Sequence, residues 1–193
     1  MNRGSISALV LAFGLGGSIA TLTWFASGFT RETVLSNVRP AWTEVAWPFA
    51  PDEWGKGKGK GKAFRCEGSN CGGEVNLYIR AKLGFCNCET GISDDADLDR
   101  MGDLHLIGSS GAALGSGRSI KVGHMMGRSR TYMLTARSPL GKAAISAAFS
   151  DRCDMIVATV VVPHDRPDAI ERQTIEFLNG NTVMRWAEVT LGL

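Results

Sequence analysis

The sequence predicts an α+β fold: a mainly antiparallel sheet of about five strands with two or three helices on one face, preceded by a transmembrane helix and a flexible linker. Three observations carry this expectation. Short runs with strand character recur from Glu74 to Val162, broken by Gly, Ser-Pro and Asp-Arg pairs. Helix signals stand at Ser93 and again at Pro167, and the stretch between Arg3 and Arg31 carries no charge at all. These divide the 193 residues into a transmembrane anchor or signal segment (1–30), a linker rich in Trp and Pro, then Gly and Lys (31–62), and a single globular domain (63–193).

Residues Ile6 to Phe29, ISALVLAFGLGGSIATLTWFASGF, exceed the roughly 30 Å of a bilayer's hydrocarbon core at about 1.5 Å per helical residue. The apolar run continues past the first small-residue cleavage candidate, Ser18-Ile19-Ala20, and Trp24 and Phe25 lie near its end, where aromatic rings suit the headgroup region. The segment therefore reads as a single-pass anchor in the inner (cytoplasmic) membrane with its amino terminus inside. That orientation places the domain in the periplasm; the alternative is a secreted protein released by signal cleavage.

Between Thr30 and Lys62 lie Trp42, Trp47 and Trp54, three prolines, and alternating Gly and Lys from Gly55 onward. Proline and glycine oppose regular structure and the four lysines repel one another, so this composition predicts an extended tether. Lysines beside a bilayer attract anionic lipid, and membrane lipid is accordingly an expected contact.

The domain opens with four cysteines, Cys66, Cys71, Cys86 and Cys88, while Cys153 stands alone downstream. Outside the cytoplasm such a cluster reads as disulfides, with cross-pairing between the two groups closing a hairpin-like edge. The alternative is a metal, zinc or copper, or a thiol-redox pair; C-x4-C with C-x-C departs from the usual zinc knuckles. His124-Met125-Met126 offers a second set of soft ligands for copper.

Val75, Leu77 and Ile79 alternate with Asn76, Tyr78 and Arg80, giving a strand over Glu74 to Arg80 with one apolar face. Ser93 caps a short helix running to about Leu106, with acidic residues at its positive end. The spacing of Asp95, Asp97 and Asp99 is that of an EF-hand loop, but Arg100 stands at the glycine position and Leu106 where a bidentate Glu is needed, which excludes calcium of that kind. Gly108 to Gly117 is a turn-rich loop without P-loop or nucleophile-elbow spacing. Four strands follow: Ser119–Val122, Arg128–Leu134, Ala143–Phe149 and Met155–Val162, the last apolar enough to be covered on both faces. Ile170, Thr174, Phe177 and Leu178 recur at helical spacing after Pro167, closed by Asn179-Gly180. Thr182 to Leu191 fits neither period.

Residues 63–193 hold fourteen Lys and Arg against fifteen Asp and Glu, too even a balance for a nucleic-acid binder. Within the domain, however, charge is segregated. Five aspartates fall in 94–103, and Arg118, Lys121, Arg128, Arg130, Arg137 and Lys142 follow in 104–150 without one acid. Arg128 and Arg130 share a strand face, and with Arg118 and Lys121 they are the candidate site for an anionic partner. No catalytic grouping is visible at short range. The expectation is a non-enzymatic, membrane-tethered extracytoplasmic interaction or assembly module with a membrane-protein partner, the alternative being the cysteine-based metal or redox protein.

Overall fold

Two runs in the chain, Ala143 to Phe149 and Met155 to Val162, are largely apolar at both odd and even positions, and a strand of that kind is stable only with cover on both sides. They become the middle of the sheet. The computed structural model describes residues 41–50, 61–84, 87–107, 111–135, 143–163 and 167–193. The expected anchor (1–30), much of the linker, and Cys86, Arg137, Lys142 and His164 lie outside these residues. Among the described residues no helix is long and apolar enough to cross a membrane.

Eight strands, β1 (Trp42–Val45), β2 (Lys62–Cys66), β3 (Val75–Lys82), β4 (Gly111–Ala113), β5 (Arg118–Val122), β6 (Met125–Leu134), β7 (Ala143–Asp151) and β8 (Asp154–Val162), form one sheet in the order β1-β2-β3-β8-β7-β6-β4, with β5 also on β6. Every pairing is antiparallel. Among the described residues three α-helices complete the fold: α1 (Asp95–Met101), α2 (Pro167–Leu178) and α3 (Asn181–Leu191). The α+β class and the antiparallel sheet agree with the sequence, and the five expected strands are β3, β5, β6, β7 and β8.

Two expectations are corrected. The helices do not share a face: α2 and α3 cover Leu77, Ile79, Ile145, Phe149, Ile156 and Val160, whereas α1 lies on the opposite side over Ala148, Met155 and Val157. The physical reason is the central strands themselves, since β7 and β8 bury nearly every residue and need a layer on each side. The sheet also has eight strands, because β1 forms within the expected linker, β2 spans the expected boundary at Lys62, and β4 forms within the Gly108 to Gly117 stretch expected to be a turn-rich loop. Trp42 stacks on Phe177 at 5.2 Å, and Phe49 meets Tyr78 edge-on at 4.9 Å on the other face, so β1 and the turn after it close one end of the core. Gly61 permits this, because a Cβ there would collide with the Trp47 ring and the Ile79 carbonyl oxygen.

The helix start is also one residue later than the sequence suggests. Asp94 is extended, and its carboxylate accepts the Asp97 N–H at 2.8 Å, while the Ser93 hydroxyl donates to Asp97 at 3.0 Å. Beyond Met101 the chain turns through Gly102 into a 3-10 turn over Leu104–Ile107 instead of continuing the helix. The undecided carboxyl-terminal stretch is α3, which buries Val183 and Ala187 one turn apart.

Asn179, in the turn between α2 and α3, closes the exposed side of β5. Its side-chain carbonyl accepts the Gly123 N–H at 2.8 Å, and its amide donates to the carbonyl oxygens of Lys121 at 3.2 Å and Ile175 at 2.9 Å. One side chain thus satisfies backbone groups on an edge strand that would otherwise invite another strand. Replacing it by Ala is expected to cost about 1–2 kcal/mol in denaturant unfolding and to speed amide exchange at Gly123. Unchanged stability and exchange would show that the edge is held by other contacts.

Candidate functional site

The strand alternation of Arg128-Ser129-Arg130 decides the layout of the charged side of the molecule. Arg128 and Arg130 do share a face, as their spacing predicts, and it is the α1 face. There they meet the aspartates that precede them in the chain. Asp95 pairs with Arg128 and takes the Gly117 N–H on both carboxylate oxygens at 3.0 and 3.1 Å; Asp99 takes Arg130 at 2.8 Å and the Tyr132 hydroxyl. Asp103, four residues further on, accepts Arg80 through two nitrogens at 2.6 and 2.9 Å and Lys82 at 2.7 Å, with its side chain only 2 % exposed. The acidic and basic blocks of the sequence therefore face each other inside one domain.

The four candidate anion-binding residues separate accordingly. Arg128 and Arg130 hold carboxylates of their own chain, and Lys121 is exposed on the same side of the sheet. Arg118 pairs across to Ser129 and lies on the α2 face, where it reaches Glu171 and Asp168, each at 3.3 Å.

At Arg118 the sheet edge opens. β4 and β5 run along β6 as one interrupted strand: Leu114 still donates to the Thr131 carbonyl at 2.8 Å, but Gly115, Ser116 and Gly117 bulge out opposite Arg130 before pairing resumes at Arg118–Ser129. Gly117 has no room for a side chain, since a Cβ would sit 2.8 Å from the Ser129 carbonyl oxygen and against Asp95. Between the bulge and the start of α2 lies a cleft of about 370 Å3. Ser129 and Thr131 form part of its floor, Leu114 and Ser116 one wall, and Pro167, Asp168 and Glu171 the other. Glu171 is the buried charge here, 7 % exposed, accepting the Ser129 hydroxyl and the Arg118 guanidinium. Sequence reading passed over it because a glutamate between Ile170 and Thr174 looks like a solvent position; its heptad neighbours Thr174 and Leu178 on the buried stripe were the available signal.

The cysteines pair differently from expectation. Cys66 and Cys71 close a five-residue separation at the end of β2, both fully buried, and Cys88 bonds Cys153, 65 residues away in the β7–β8 turn, with Cα atoms 4.1 Å apart. Cross-pairing between the first two groups is thus replaced by one local and one long-range bond, because the β7–β8 turn brings Cys153 beside the loop that carries Cys88. In the chain-entropy model the long loop is worth roughly 4 kcal/mol and the short one roughly 2. Among the described residues no group of three or more His, Cys, Asp or Glu is placed to hold a metal ion. Met125 is buried in the core while Met126 is 58 % exposed, so strand alternation points them apart and they do not converge with His124 on one ion.

Two titrating groups report on the charged layer. The Gly117 N–H, and after it the Arg128 guanidinium, hold the Asp95 carboxyl below the usual carboxylate range. Burial, then the hydrogen bond to Asp99, raises the Tyr132 phenol well above its ordinary value. A depressed carboxyl stabilises the fold above its unfolded value near 3.9 and loses that contribution as pH falls through the folded value; a raised phenol stabilises below about pH 10 and loses it as pH rises. Asp95→Asn is therefore expected to lower stability at neutral pH with the gap closing in acid, and Tyr132→Phe to flatten the alkaline limb, both read as denaturant midpoints across pH. Parallel curves for variant and parent would contradict this. Comparison with known proteins finds no match: no family model, no curated protein and no solved structure is similar to the chain.

Proposed function

We propose that this is a membrane-tethered, extracytoplasmic binding domain that engages a protein partner at the cleft beside the β4–β5 bulge, without catalysing a reaction. The observation that carries the reading is the conjunction of an uncharged amino-terminal segment of membrane-spanning length with two disulfide pairs in the domain that follows it. An oxidising compartment on the far side of the membrane accommodates both. The cleft favours binding over chemistry because its buried carboxylate is already engaged by a serine and an arginine. The alternative is a cysteine-based protein: metal binding would need Cys66, Cys71 and Cys88 as thiolates, and thiol-redox work would need one of the pairs Cys66–Cys71 or Cys88–Cys153 to be reduced in turn.

Two measurements in intact cells test this. Protease added to spheroplasts is expected to digest the domain of the full-length protein; complete protection overturns the exported topology. A photocrosslinking side chain at Leu114, on the cleft wall, is expected to give a discrete protein adduct that the same group at Leu83, at the far end of β3, does not. Equal labelling from both positions, or none from Leu114, removes the cleft as the binding surface.

A further inference from the structure

The arginine that closes the cleft is held more loosely than Arg80 and Arg130, which pair on the α1 face. Arg80 and Arg130 grip their carboxylates at 2.6 to 2.9 Å with side chains 10 and 17 % exposed. Arg118 reaches Glu171 and Asp168 only at 3.3 Å, and its side chain is 67 % exposed. Exposed pairs at such distances contribute little, and a side chain already mostly in water leaves at small cost. What it would leave behind is a fixed anionic seat. Glu171 is buried, aligned by the Ser129 hydroxyl, and Asp168 stands at the rim three residues earlier, in the first turn of α2. Among the described residues of the lining the remaining cation, Arg130, is neutralised on the α1 face by Asp99. With Arg118 swung aside, the described residues of the lining carry two carboxylates against one cation that is already paired.

We propose that the cleft is a receptor for an organic cation, a guanidinium or a primary ammonium group, and that Arg118 occupies the site as an internal stand-in for it. The ligand's N–H groups replace those of Arg118 on Glu171 and Asp168, Thr131 and Ser116 offer further acceptors, and Leu114 packs on the ligand's alkyl stem. This rests on the cleft being the binding surface, and it deepens that reading by naming what is recognised. It also reverses the sign expected from the basic residues alone: an anion site would need Arg118, whereas a cation site is improved by its removal.

The test is a titration of the full-length protein in lipid nanodiscs with N-acetyl-arginine amide, N-acetyl-lysine amide, spermidine, and acetate and phosphate as anionic probes, followed by the amide resonances of Ser129 and Glu171. Saturable shifts with the cationic probes are expected. Arg118→Ala should tighten their binding about 2- to 5-fold, the strength of the exposed pair that competes for the seat. Glu171→Gln should weaken it about 10-fold, as loss of a charged hydrogen-bond partner does, and Asp168→Asn, at an exposed rim position, weakens it without risk to the fold. Tighter binding of the amino-acid amides than of spermidine identifies a side chain of a protein partner; the reverse identifies a free polyamine. Weaker or unchanged cation binding in Arg118→Ala, or shifts with the anionic probes alone, overturns the proposal. A crosslinked partner at Leu114 combined with no cation binding leaves the interaction surface standing and removes only the cation.

Discussion

Three aspartates spaced four residues apart, Asp95, Asp99 and Asp103, tie one side of the sheet together. Asp95 and Asp99 lie on one side of a two-turn helix, and Asp103 continues the row past Gly102. The first two take the arginines of β6, the third takes Arg80 and Lys82 of β3, so a single short segment spans the sheet from one flank to the other across β7 and β8. A helix of seven residues has little stability of its own and depends on what it docks against. The apolar contribution of α1 is small, with Leu98 as its buried residue. Charge pairing is what positions it, and its position in turn orders the β4–β5 bulge through the Asp95 contact with Gly117. The cleft exists because that bulge is held open.

This arrangement explains why the charge pattern is easier to notice than to interpret from sequence. An acidic block followed by a basic one looks like a domain with a basic side; only the antiparallel return of β6 to α1 reveals that the blocks neutralise each other. Arg128 and Arg130 were readable as sharing a face, and the carboxylates they hold turn out to be internal. Strands β3, β7 and β8 were legible because their alternation or continuous apolarity expresses burial directly. β1 and β2 were not, since Trp, Pro, Gly and Lys dominate their surroundings and the signal for Trp42 is its partner Phe177, 135 positions along the chain. Cys153 failed for the same reason: its partner is distant in sequence and near only after β7 and β8 have paired. Glu171 was hidden because its character is polar and its location is not.

The two ends of β5 show how one edge is managed for two purposes. At Lys121 and Gly123 the side chain of Asn179 satisfies the backbone and discourages another strand. A few residues away, the bulge leaves space between the sheet and α2 and surrounds it with polar groups. Blocking strand addition at one end of β5 while opening a cleft lined by side chains at the other favours side-chain contacts over backbone pairing at this edge. The long-range Cys88–Cys153 bond anchors the loop that leads into α1 to the β7–β8 turn, so the covalent and the electrostatic constraints act on the same segment.

The most direct measurement of the charge-docked sheet is the unfolding free energy of Asp103→Ala beside that of Asp168→Ala, whose side chain is 77 % exposed. Removing Asp103 takes the carboxylate away from two nearly buried cations, Lys82 keeping its hydrogen bond to the Met101 carbonyl, which is expected to cost about 3–5 kcal/mol and to be partly restored by replacing Arg80 and Lys82 with Met. Asp168→Ala should stay within about 0.5 kcal/mol of the parent. A loss below about 1 kcal/mol for Asp103→Ala, with α1 still protected from amide exchange, would contradict the view that the aspartate row holds this side of the fold in place.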